Sequence, residues 1–131
     1  MRRFSLLIIA ASLLIGHAAY GHHSYAATYD TSKEVKLEGT LVKFELRNPH
    51  AFVTIKAKDK EAVMQRWAVE WAGVSQLAGA GIKQDTLKVG DDIVIVGNPS
   101  RVPGEFRVLM VNLKRPVDGF SWGTKAGEKV D

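Results

Sequence analysis

The sequence predicts a mainly β protein: a small five-stranded barrel with one short helix. Three observations predict it. Short apolar segments alternate with polar residues, turn residues separate them at regular intervals, and one glycine-bounded stretch is fit for a brief helix. A chain of 131 residues with 46% hydrophobic content suits one folded unit and is too short for two separate cores.

The elements follow in order. Asp30, Thr31 and Ser32 supply turn chemistry after an extended arm over residues 22–34. Val35, Leu37, Gly39 and Leu41 alternate with polar residues, and then the parity shifts so that Val42, Phe44 and Leu46 continue the pattern. One extra residue near Gly39 would produce that shift, so a bulge or strong bend is expected there. Asn48-Pro49 ends the strand, because proline lacks a ladder donor and pushes its predecessor towards extended geometry. A second strand starts at about His50, with Ala51, Val53, Ile55 and Ala57 on one face, and Lys58 to Glu61 forms a charged hairpin connection. In the third, Trp67, Val69 and Trp71 make a core wall opposite Arg66, Ala68 and Glu70.

Val74 to Ala80 is the short helix, limited by Gly73, Gly79 and Gly81. A Gly90-Asp91 turn leads into Ile93 to Val96, an apolar run typical of a buried strand. Asn98 to Glu105, with two prolines and a glycine, reads as a long hairpin loop, and Phe106 to Leu113 as the fifth strand. The barrel domain therefore covers residues 35–115, and residues 116–131 are expected to be a flexible tail. Three strands, a helix and two strands is the order of an OB-like barrel, a closed or partly open Greek key. A two-layer sandwich needs more strands than the sequence offers.

Residues 1–21 have the layout of a secretory signal: Arg2 and Arg3, then the uncharged apolar run Phe4 to Ile15, then small residues. The run falls short of the roughly 20 residues a membrane-spanning helix needs, so cleavage is expected, leaving a soluble periplasmic product with no membrane anchor. Ala19 and Gly21 place the cut after Gly21, with His22 as the new N-terminus. Gly16 and Ala18 also fit a cut that leaves Ala19 first, and a cut after Ala19 would leave Tyr20-Gly21-His22.

Cleavage takes two of the 18 basic residues and none of the 14 acidic ones, leaving a net charge of +2. With no run of lysines or arginines, a nucleic-acid partner is not expected. The chain has no cysteine, which excludes disulfides, thiolate metal sites and a cysteine nucleophile.

Four histidines occur, and His17 leaves with the signal. A histidine freed at the N-terminus can chelate one metal ion through its α-amine and Nδ1, and a second imidazole can complete a T-shaped set of three nitrogens. Such planar nitrogen ligation suits Cu(II) by geometry and by affinity order. The expected ligands are His22 through amine and ring, with His50 or His23 as the third. The first strand separates the arm from His50 by up to about 36 Å, at about 3.3 Å per residue. The extended arm spans about 40 Å, so it reaches His50 only by doubling back along the barrel, with Tyr25 and Tyr29 as anchors. The plain alternative is a solvated histidine pair on a frayed end, with His50 simply beginning a strand.

No serine lies in a nucleophile elbow, and no histidine and acid pair stands out as a general base, so an enzyme is not expected. Strand alternation points Glu70 away from both tryptophans and into solvent. Gly79 to Gly81 lacks the strand, spacing and lysine of a phosphate loop and reads as a helix end.

His22-His23-Ser24-Tyr25-Ala26, Tyr29-Asp30, Asn48-Pro49-His50-Ala51, Trp67-Ala68-Val69-Glu70 and Gly90-Asp91 together resemble an exported bacterial family, domain of unknown function 6152. The resemblance covers nearly all of the chain after the signal. It implies a periplasmic location and a compact β fold, and no activity, ligand or catalytic residue. Three functions compete: first a periplasmic, non-catalytic copper-binding protein using His22, His23 and His50, second a module that binds another periplasmic protein or a small ligand without metal, and last a copper-dependent redox enzyme, disfavoured because nothing else in the chain suggests substrate positioning.

Overall fold

The computed structural model describes residues 25–123. Its strands are β1 (Val35–Glu45), β2 (Phe52–Lys58), β3 (Met64–Glu70), β4 (Asp92–Pro99), β5 (Arg107–Arg115) and β6 (Phe120–Gly123), and helix α1 (Val74–Gly79) joins β3 to β4. β1 pairs antiparallel with β2 and β4, β2 with β3, and β4 with β5. A parallel pairing of β3 with β5 closes the ring. This is the five-stranded OB-like barrel, and closure leaves only short edges to protect.

The alternation in β1 has the expected outcome. Leu37, Leu41 and Phe44 are buried, and the register with β2 shifts between Leu41 and Lys43, the signature of one inserted residue. Gly39 of β1 pairs with Ala57 of β2, where an added Cβ would stand 2.2 Å from the Lys56 carbonyl oxygen. Only glycine lets the two backbones approach so closely. Val53, Ile55, Val69, Trp71, Ile93, Ile95, Val108 and Leu113 complete the interior, and Leu77 of α1 packs with Ile82 and Leu87 into the same cluster. No described helix is long and apolar enough to cross a membrane.

Two boundaries differ from the sequence reading. Asn98 and Pro99, assigned to a loop, belong to β4, because the arm supplies partners for their polar groups: Asn98 Nδ2 donates to the Lys33 carbonyl at 2.8 Å, and the Pro99 carbonyl accepts from Asp30 N at 2.8 Å. Residues 120–123, assigned to the tail, form β6. β3 covers β5 only as far as Leu109, and β6 pairs with the free edge from Asn112 to Arg115. Trp122 meets Trp71 edge-on at 5.2 Å, and Arg115 ties the hairpin to Asp91 and Asp118 at 2.8 Å each.

The arm does double back. Residues 25–28 form one helical turn, and Tyr29 makes an isolated antiparallel bridge with Ser100. The loop after β4 acts as its rail: Arg101 N donates to the Thr28 carbonyl at 2.9 Å and Arg101 Nε to the Ala26 carbonyl at 2.7 Å. The arm crosses the outer face of β3 and β5 and ends beside His50.

Candidate functional site

The site is the patch of outer barrel wall beneath the arm. His50 stands between the Asn48-Pro49 corner and β2. Its neighbour Ala51 is buried and continues the β2–β3 ladder, with Ala51 N on the Ala72 carbonyl at 3.0 Å and Trp71 N on the Ala51 carbonyl at 2.8 Å. The backbone that carries the imidazole is thus fixed on its C-terminal side.

Both ring nitrogens are engaged. Nδ1 lies 3.0 Å from Glu70 Oε1, and Nε2 lies 2.5 Å from the Tyr25 phenol oxygen. An ionised carboxylate only accepts, so Glu70 holds a proton on Nδ1, and in the neutral ring Nε2 then accepts from the Tyr25 hydroxyl. The second Glu70 oxygen accepts from the Tyr29 hydroxyl and from Arg107 Nη2 at 2.9 Å. Arg107 Nε donates to the Tyr29 oxygen at 2.7 Å, and its guanidinium lies 5.5 Å from the Tyr29 ring centre and 5.7 Å from that of Phe52. Arg47 covers the Phe52 ring at 4.9 Å.

The electrostatics match these proton positions. Burial, and then the negative charge of Glu70, push the Tyr25 phenol up to about 12. Burial also raises Tyr29, helped by its bond to Glu70 and opposed by Arg107, so this hydroxyl stays protonated and donates. Burial works against the Arg107 cation, but Glu70 and Tyr29 outweigh it and hold the charge in place.

Of the three expected ligands, the structure places His50 at the centre of this network. His22 and His23 lie outside the described residues, three and two positions before Tyr25. Among the described residues, no three His, Cys, Asp or Glu side chains gather around one point.

Glu70 corrects the sequence reading. Alternation does turn it outward, away from Val69 and Trp71, yet it is only 8% exposed because the arm roofs that face. Its partner Arg107 is 37 residues away and carries no local signal. Tyr25 and Tyr29 were expected only as anchors of an arm that turns back, and both bond within this network.

A family described as one of unknown function, DUF6152, matches residues 11–106. No curated protein matches the chain. Among solved structures, the chain is similar to the mitochondrial single-stranded DNA binding protein of S. cerevisiae, at 6% identity over 63% of this chain and 91% of that one, with a TM-score of 0.46.

Proposed function

We propose that this chain, which belongs to the family of unknown function DUF6152, is an exported copper-binding protein whose ion is shared between the barrel and the arm. His50 Nε2 is the barrel's ligand. His22, freed by cleavage after Gly21, brings its amine and Nδ1, and His23 is the alternative ring donor. The role is to hold copper in the periplasm without turnover.

The observation that carries this reading is the setting of His50. Metal-binding histidines characteristically donate their other N–H to a carboxylate, which fixes the ring and raises its basicity. Glu70 does this at 3.0 Å, and is itself held by Tyr29 and Arg107. The other nitrogen, Nε2, accepts from the Tyr25 hydroxyl, and the three residues back to His22 span up to about 11 Å when extended. That reach covers the distance a shared ion requires, and three nitrogens in a T suit Cu(II) above other divalent ions.

Two linked measurements test it. The intact mass of the exported protein is expected to correspond to a chain that begins at His22. Titrated with Cu(II), that material should bind one ion tightly, and His50→Ala should weaken binding by at least tenfold. A different first residue, or an isotherm that His50→Ala leaves untouched, overturns the proposal.

A further inference from the structure

We infer that the β2–β3 hairpin is a docking tip for an anionic lipid surface: Val63 and Met64 enter the boundary of the bilayer while Lys56, Lys58, Lys60 and Arg66 meet its headgroups. Neither the arm nor His50 takes part, so this surface goes beyond the proposed function and stands apart from it.

Charge points to the hairpin first. Residues 56–66 carry four cations, Lys56, Lys58, Lys60 and Arg66, against two acids, Asp59 and Glu61, whereas the rest of residues 22–131 carries twelve of each sign. The positive surplus is gathered in one hairpin. Among the described residues, none of those four cations has an ion pair, while Lys33, Lys36, Lys43, Arg107 and Arg115 each lie against a carboxylate. Lys56 and Arg66 are direct cross-strand partners, and like charges so placed repel. An anionic surface laid over the pair removes that repulsion.

The second observation is apolar. Val63 and Met64 are 52% and 57% exposed and adjacent in the chain, whereas the other large hydrophobics exposed to this degree, Val89, Val102 and Val117, stand singly. Met64 shares the outer face of the hairpin with Lys56, Lys58 and Arg66, because Ile55, Ala57 and Trp67 turn to the core. A polyanion in solution would engage the cations and leave two aliphatic side chains in water. A bilayer boundary takes both, with the charged groups among the headgroups and the aliphatic carbons below them.

The tip is built in advance. Asp59 Oδ1 accepts from Glu61 N and Val63 N at 2.9 Å each, Oδ2 accepts from Gln65 Nε2 at 3.0 Å, and Asp59 N donates to the Val63 carbonyl at 2.8 Å. Ala62 turns the chain with φ of +61°. One of the two acids is thus occupied in holding the loop, and little ordering is left for docking to do. Attachment of this kind is peripheral and reversible, so it requires no membrane-spanning helix.

The test is co-sedimentation of the exported, processed protein at low salt with vesicles of mixed phosphatidylglycerol and phosphatidylcholine, against vesicles of phosphatidylcholine alone. The wild type should bind the anionic vesicles, leave the neutral ones, and release as salt rises. Lys56→Gln with Arg66→Gln should weaken partitioning by about ten- to thirtyfold. Val63→Ser with Met64→Ser should weaken it by about tenfold or more. Lys83→Gln with Lys88→Gln removes the same charge from exposed sites outside the hairpin and should change it by less than about threefold. No binding by the wild type, equal binding to neutral vesicles, or an equal loss in the Lys83 and Lys88 variant overturns the inference. So does full binding by the Val63 and Met64 variant, which would make the hairpin a polyanion site without insertion. The wild type adds a check that needs no substitution. Anionic vesicles should slow hydrogen exchange at the Lys60 and Ala62 amides, and unchanged exchange there overturns docking through this tip.

Discussion

Val69 and Glu70 are neighbours in β3 and are almost equally hidden, at 0% and 8% exposure, but for opposite reasons. Val69 faces inward and is covered by the closure of the barrel, where any apolar side chain of fitting size would serve. Glu70 faces outward and is covered by the arm, and its burial is tolerable only because His50, Tyr29 and Arg107 all bond to it. The inner wall gains its stability from area. The outer wall depends on named partners, and it is there that chemistry is possible.

Truncations should separate the two walls by size and by reach. Ile95→Ala, at a fully buried position, is expected to cost about 3–4 kcal/mol in urea unfolding, with arm and barrel lost together. A cost below about 1 kcal/mol would break the claim that the interior carries the fold. Glu70→Ala should come next, at about 2–3 kcal/mol, below the usual figure for a broken buried pair because the Arg107 side chain is 35% exposed. Its effect should be local, with exchange at the Asp30 and Arg101 amides speeding far more than exchange within β1.

Tyr29→Phe is a finer cut, since it removes the hydroxyl that links Glu70 to Arg107 while keeping the ring. It should cost about 1–2 kcal/mol, read in the same urea curves. A neutral result would mean that Arg107 and His50 suffice to support Glu70.

The smallest effect is expected at the other end of the chain. Arg115, followed by the Phe120 amide, holds the Asp118 carboxyl below the ordinary aspartate range. Burial raises Asp91, but the Lys88 amide and Arg115 outweigh it and bring it below that range too. Both groups stabilise the hairpin fully above the ordinary value of about 3.9, and the contribution fades as pH falls through their lower folded values. Acidification below about pH 4 should therefore loosen β6, seen as a change in the emission of Trp122 against Trp71. Emission unchanged through that range would contradict it.

The inner wall was legible in the sequence because barrel closure imposes a period of two on every strand, and the bulge after Leu41 leaves a visible break in it. The outer wall was legible only in part. His50 stood out by its place beside Asn48-Pro49, and Tyr25 and Tyr29 by the need for an arm that turns back. Glu70 was misread because alternation tells which way a side chain faces and is silent about what later covers that face. Arg107 joins Glu70 through the parallel β3–β5 closure, a pairing with no local trace. β6 did leave a trace, in Phe120 and Trp122 alternating after Asp118 and a Gly119 that turns with φ of +74°, but a polar, glycine-rich setting masked it.

The central claim is that His50 is a copper ligand held ready by Glu70. Electron paramagnetic resonance of the Cu(II)-loaded, processed protein tests it most directly, by counting the nitrogens coupled to the ion. Three coupled nitrogens, one of them lost in His50→Ala, is the predicted result. A nitrogen pattern identical in the wild type and in His50→Ala would contradict it.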